Sequence, residues 1–292
     1  MQKKLLFFLL MPLLFIGCST PKKNIPQPQG SFPLTITDAF EEEVTIEKPP
    51  VRIISLAPSH TEILFQLDLE EEIVGVTNWC NWPEEAQKKT LVGDLNLNFE
   101  KIVSLKPELV VGIRSMQEEN LKRLAQMGYK VLSLEPAGIE GTIKTIETLG
   151  LVTDRRAEAG RLIAKIKEQL ASIKPKTTRP KVLMVLDLDP LYTVGPGSLQ
   201  DELLVRAGGE NIAAETNTPW PQLSDEIIIA QDPDVILVTA DFQERILNKA
   251  AWRNLKAVKK GAIYSVDPDL ISRPGPRIGE AAVEIAQVLG EK

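Results

Sequence analysis

One stretch of this chain occurs twice, and that repetition limits the folds open to it more than any other feature. Glu100-Lys-Ile-Val-Ser-Leu-Lys-Pro107-Glu-Leu-Val-Val-Gly112 is matched, 126 positions later, by Glu226-Ile-Ile-Ile-Ala-Gln-Asp-Pro233-Asp-Val-Ile-Leu-Val238. In both copies an acidic residue precedes a short apolar turn, a proline follows seven positions on, and an acid with an aliphatic run comes next. The proline bars the residue before it from helical geometry, so each copy reads as a short helix stopped there. The aliphatic run suits a buried parallel strand. Two copies predict two similarly built lobes, each offering one carboxylate near the start of an equivalent helix.

Composition then removes several function classes. The chain has 292 residues, enough for one large or two medium domains, with 43% hydrophobic and 25% charged residues. Its formal net charge is −6, with no basic cluster, which argues against a nucleic-acid partner. His60 is the single histidine, and Cys18 and Cys80 are the two cysteines. No His/Cys zinc site is expected, and no metal site is assigned. A Ser-His-Asp arrangement would have to use His60, and no GxSxG elbow accompanies it.

Residues 1–17 read as a signal peptide. Met1-Gln-Lys-Lys4 is basic, and Leu5 to Ile16 is an apolar run too short to span as a stable transmembrane helix. Phe15-Ile-Gly-Cys18 resembles the lipobox of bacterial lipoproteins, with Phe15 where leucine is preferred, which makes Cys18 the expected lipidation site. Residues 18–31 are then a Pro/Gln-rich tether to the outer face of the membrane. With Cys18 acylated, Cys80 has no partner in the chain, and the ordinary reading is a buried thiol beside Trp79 and Trp82.

From Phe32 the pattern alternates strand and helix. Leu34 to Ile46 reads as a hairpin, and Val51–Ala57 as a buried strand. Pro58-Ser-His-Thr-Glu62 has the spacing of a capping box opening a helix through Leu67. Strand Ile73–Thr77 leads into Asn78-Trp-Cys-Asn-Trp-Pro83, a loop with two indoles. Helix Asn120–Met127 and strand Tyr129–Leu134 follow. Leu162, Ile163, Ile166, Leu170 and Ile173 recur at helical spacing, and Gly141 to Ile173 reads as one long helix joining the lobes. Strand Lys181–Leu186, helix Leu199–Ala207, helix Trp252–Val258, strand Ala262–Val266 and a final helix to Leu289 repeat the alternation. The expected class is α/β: two Rossmann-like lobes with mostly parallel sheets. The expected boundaries are 32–148 for the first lobe, 149–176 for the connecting helix and 177–292 for the second lobe.

Arg52-Ile-Ile-Ser-Leu-Ala-Pro-Ser-His-Thr-Glu62, Gly75-Val-Thr-Asn-Trp-Cys-Asn-Trp-Pro83, Ala207-Gly-Gly-Glu-Asn-Ile212 and Arg273-Pro-Gly-Pro-Arg277 together resemble the helical-backbone class of ABC-importer substrate-binding proteins. Within that class the likeness is nearest to the periplasmic cobalamin-binding proteins, and it covers Leu34 to Leu289. The resemblance implies a monomeric, non-enzymatic protein that holds a corrinoid between two lobes and delivers it to an ABC permease and its ATPase. By motif position it implies ligand contacts at Trp79, Trp82, Tyr192, Trp220, Asp269 and Arg273. Aromatic faces suit the flat, partly apolar rim of a macrocycle, and polar groups suit its amide side chains. It also implies permease docking through Glu100 and Glu226, where exposed carboxylates form charge-assisted bonds with arginines.

Two positions depart from the cobalamin pattern: Asp94 and Ile113 stand where tryptophans are usual. A binder of haem or of a ferric siderophore is the alternative within the class. Siderophore binding calls for cations facing an anionic chelate, and the loop candidates are Arg114, Arg273 and Arg277. An α/β enzyme is the alternative outside it. Gly195-Pro-Gly197 would be its nearest approach to a phosphate loop, and a plain turn explains that segment better.

Overall fold

The computed structural model describes residues 32–174 and 177–290. The signal peptide, Cys18 and the tether lie outside the described residues.

The chain opens with an antiparallel hairpin, β1 (Leu34–Thr37) on β2 (Glu43–Ile46), in the register Leu34↔Ile46. The first lobe is built on β3 (Ile53–Ser55), β4 (Ile73–Val76), β5 (Leu109–Ile113) and β6 (Val131–Leu134). They form a wholly parallel sheet in the order β4-β3-β5-β6. Three helices connect its strands: α1 (Pro58–Gln66), α2 (Phe99–Leu105) and α3 (Arg114–Gln126). Two more follow it, α4 (Gly138–Val152) and α5 (Arg156–Ser172).

The second lobe begins with β7 (Lys181–Leu188), on which β8 (Leu191–Thr193) folds back antiparallel. It continues through α6 (Leu199–Arg206), β9 (Glu210–Asn211), α7 (Asp225–Gln231), β10 (Val235–Val238) and α8 (Gln243–Leu247). It ends with α9 (Lys256–Lys260), β11 (Ile263–Ser265), α10 (Pro268–Ser272) and α11 (Ile278–Val288). Its sheet runs β11-β10-β7-β8, with β9 added beside the start of β7.

The central strands β5 and β10, and β7 over Val182–Val185, are buried on both faces, which is why they are continuous aliphatic runs. Successive residues enter different cores, as the two-residue period of a strand requires. Val182 and Met184 of β7 join Val235 and Leu237 of β10 in the main core, with Leu109, Val111 and Leu132 of the first sheet. Leu183, Val185, Ile236 and Val238 face a second core, and Ile54, Val110 and Val131 a third. The main core is completed by apolar stripes of α4, α5 and α11, so these helices fill the space between the two sheets.

The duplicated stretch folds twice into the same unit. Asn98 and Ser224 cap α2 and α7, their side chains accepting from Lys101 N and Ile227 N. Both helices are seven residues long and bury one residue, Ile102 in α2 and Ile228 in α7. Both end in a left-handed residue directly before the proline, Lys106 with φ 45° and Asp232 with φ 47°. A residue before proline is excluded from continuing the helix, and this conformation turns the chain straight into β5 and β10.

Two expectations are corrected. The continuous helix over Gly141–Ile173 is two helices, broken at Thr153–Arg155 by left-handed Asp154 (φ 58°). The break lets α5 fold back against α4: Gly150 meets Ala159 so closely that a Cβ on it would lie 2.4 Å away. Periodicity shows which residues face a core but not that the core lies on both sides of a turn. The capping box at Ser59 is also absent. Pro58 takes the first helical position, so Ala57 becomes the N-cap without any side-chain bond, and Glu62 is used elsewhere.

Candidate functional site

Glu62 lies on α1 of the first lobe, its side chain 1% exposed. Two arginines of the second lobe, from the rigid Arg273-Pro-Gly-Pro-Arg277 segment before α11, converge on it. Arg277 donates from Nε to Oε2 at 2.9 Å and from Nη2 to Oε1 at 2.8 Å. Arg273 donates from Nη1 to Oε1 at 2.9 Å and to Asn81 Oδ1 at 2.7 Å. Its Nη2 pairs with Asp269 Oδ2 at 2.7 Å, which also accepts from Asn81 Nδ2 at 3.0 Å. The Arg277 guanidinium sits 4.5 Å from the centre of the Trp82 ring. Burial alone would pull the Arg277 pKa down, but its bonds to Glu62 and that carboxylate's charge outweigh burial and raise it.

A buried ion pair repays its desolvation only when its remaining donors and acceptors are also satisfied, and here most of them are. The structure therefore brings Trp82, Asp269 and Arg273 together, in a polar network that ties the lobes to each other. Asp267 fixes the Asp269 end by capping α10, accepting from Asp269 N at 2.8 Å and Leu270 N at 3.3 Å.

Trp79, Tyr192 and Trp220 are placed differently. They are 61%, 36% and 57% exposed, far more open than a core aromatic. Trp79 follows β4 in the first lobe. Tyr192 lies on β8, and the segment carrying Trp220 is laced to β8 by Thr193 N donating to Pro221 O at 3.1 Å and Gly195 N to Pro219 O at 2.8 Å. A groove of about 640 Å³ between the hairpin and α3, lined by Phe40, Leu121 and Tyr129 among others, contains none of these aromatics.

Glu100 and Glu226 are both exposed, each the second residue of its helix. The Ser224 hydroxyl, and then the backbone N–H of Glu226 itself, hold the Glu226 carboxyl below the usual carboxylate range. The helix N-terminus favours a negative charge at this position in either copy.

Residues 53–270 match the family model described as periplasmic binding protein. The chain belongs to this family. Along 96% of its length it is 35% identical to an uncharacterized ABC transporter substrate-binding lipoprotein, YvrC, of Bacillus subtilis, 94% of which is covered. It is 31% identical to a vitamin B12-binding protein of Salmonella paratyphi A, over 82% of this chain and 90% of that one. Among solved structures it superposes, with a TM-score of 0.75 and 31% identity, on a periplasmic solute-binding protein of Staphylococcus epidermidis described as a possible iron binder. That match covers 82% of this chain and 99% of the other. This is a substrate-binding protein of an ABC transporter, an extracytoplasmic and non-enzymatic component that works with a permease and its ATPase.

Sequence reasoning missed Glu62 and Asn81 as parts of this site, and named Arg277 only as a cation for an anionic chelate, not as the partner of a buried carboxylate. The signal for Glu62 was a lone acid running straight into Ile63-Leu-Phe65 on an otherwise buried helix. His60 beside it is fully buried, with neither ring nitrogen bonded, and burial lowers its pKa from 6.5 to about 4. Cys80 is a buried free thiol that accepts from Thr61 Oγ1 at 3.1 Å and lies 3.2 Å from Thr77 Oγ1.

Proposed function

We propose that this protein is a lipid-anchored receptor for a corrinoid, which it holds between its lobes against Trp79, Tyr192 and Trp220. The observation that carries this reading is the state of the three candidate arginines. Arg114 pairs with Glu135 at 3.6 Å, Arg273 with Glu62 and Asp269, and Arg277 with Glu62. Their charge is already met by carboxylates, so the exposed surface that remains to them suits a ligand with a broad apolar rim and neutral amide groups better than an anionic chelate. The B12-binding relative supports the same choice.

The iron-related neighbour favours the second reading, haem or a ferric siderophore. Lipidation at Cys18 is supported by the likeness to a protein described as a lipoprotein. Glu100 and Glu226 are the proposed permease contacts, supported by their equivalent places in the two lobes.

The test is calorimetric and fluorescence titration of the full chain in detergent with cyanocobalamin, haem and a ferric siderophore. Sub-micromolar, one-to-one binding of cyanocobalamin that weakens at least about tenfold in Trp79→Ala and Trp220→Ala is expected. Binding of only an iron chelate would replace the ligand and keep the transport role.

A further inference from the structure

The edge of the first sheet that carries Trp79 also carries two open apolar side chains to which no role has yet been given. Leu95 is 60% and Met116 58% exposed. Single exposed apolar residues need no explanation, but these two belong to segments pinned around one point. β3 is where the strand order turns, with β4 on one side and β5 on the other. Open α/β sheets leave a ligand crevice beyond the carboxyl ends of their strands at such a point.

The carbonyl of Leu56, just past β3, accepts from Thr77 Oγ1 at 3.4 Å and from Gln117 Nε2 at 2.7 Å. Trp79 lies two residues beyond Thr77, and Met116 one residue before Gln117, so both chains of contact start from that carbonyl. Gln117 has φ −141° and ψ 25°, which breaks α3 and sets its first turn, with Met116, apart from the rest. Gly112 makes room for this: a Cβ there would come within 2.9 Å of Gln117 Oε1. Leu95 lies in the turn between bridged Gly93 and Leu97. Gly93 O accepts from Asn78 N at 2.8 Å, and Leu95 O accepts from Asn120 Nδ2 at 2.8 Å. The turn is thereby fastened both to the Trp79 loop and to α3.

We propose that Leu95 and Met116 join Trp79 in a first-lobe wall on which the apolar face of a flat macrocycle rests; this rests on the macrocycle reading given above. An isobutyl group and a thioether grip by burial and dispersion, and they adapt to the shape laid on them. Such a wall discriminates weakly between macrocycles, so selectivity falls to the polar groups around it.

The experiment titrates cyanocobalamin and haem into the full chain in detergent, comparing wild type, Leu95→Ser, Met116→Ser, the double variant and Trp79→Ala. Each serine is expected to weaken binding about three- to fivefold and the pair about tenfold or more, with an unchanged melting temperature because both side chains are exposed. If Trp79→Ala loses affinity while the double variant stays within about twofold of wild type, the wall is wrong and the cleft stands. If wild type binds neither macrocycle, the macrocycle reading fails and takes the wall with it.

Discussion

Glu62 and Arg277, 215 positions apart in sequence, form a two-pronged ion pair with both donor distances below 3 Å, one from each lobe. Breaking a buried pair by removing one partner strands the other charge, at a cost of about 3–5 kcal/mol. Glu62→Ala is therefore expected to lower unfolding stability by about that much, read from urea denaturation. It should weaken ligand binding too, because Arg273 loses the carboxylate that orients it. A loss below about 1 kcal/mol would mean that the network does not hold the lobes together.

His60 makes stability depend on pH. Above pH 6.5 it is neutral in both the folded and the unfolded chain. Between 6.5 and about 4 the unfolded chain takes a proton that the buried ring refuses. Its contribution is thus complete above pH 6.5 and lost as pH falls toward 4, by roughly 3 kcal/mol in all. Replacing it with leucine should flatten that part of the stability–pH curve relative to wild type. Parallel curves from denaturation at pH 7.5 and pH 4.5 would rule His60 out as the cause.

Cys80 is expected to be chemically silent in the folded protein. Burial raises its thiol pKa, and the bonds to Thr61 and Thr77 and the nearby Arg273 charge only partly offset this. A chromogenic disulfide reagent at pH 8 should find no thiol before unfolding. After unfolding it should find one in a chain acylated at Cys18. Fast modification of the native protein would contradict the buried assignment.

The docking role proposed for Glu100 and Glu226 predicts that docking can be lost without capture. With both changed to alanine, stimulation of the cognate permease's ATPase in nanodiscs should vanish while affinity for ligand is retained. Because both side chains are exposed, the melting temperature should also be retained. A parallel fall in ligand affinity would remove the docking role from these two residues.

Much of this was legible in the residues because it is local. A proline forbids helix at the residue before it, whatever surrounds it, so Pro107 and Pro233 reveal two helix-to-strand units without reference to the rest of the chain. Aliphatic runs mark strands covered on both faces, and the resemblance motifs carry the class. What the residues alone did not disclose depends on partners far along the chain. Ser59 and Glu62 have the spacing of a capping box, yet Glu62 is claimed by arginines 211 and 215 positions away. Trp79 and Trp82 look alike in one loop, but only Trp82 meets the Arg277 guanidinium, while Trp79 is left open. The helical period from Gly141 to Ile173 runs through Asp154 without a sign of the turn, because it reports which side chains are buried and not where the chain reverses. Local stereochemistry decided the elements; packing between lobes decided which polar and aromatic groups are tied up and which remain free.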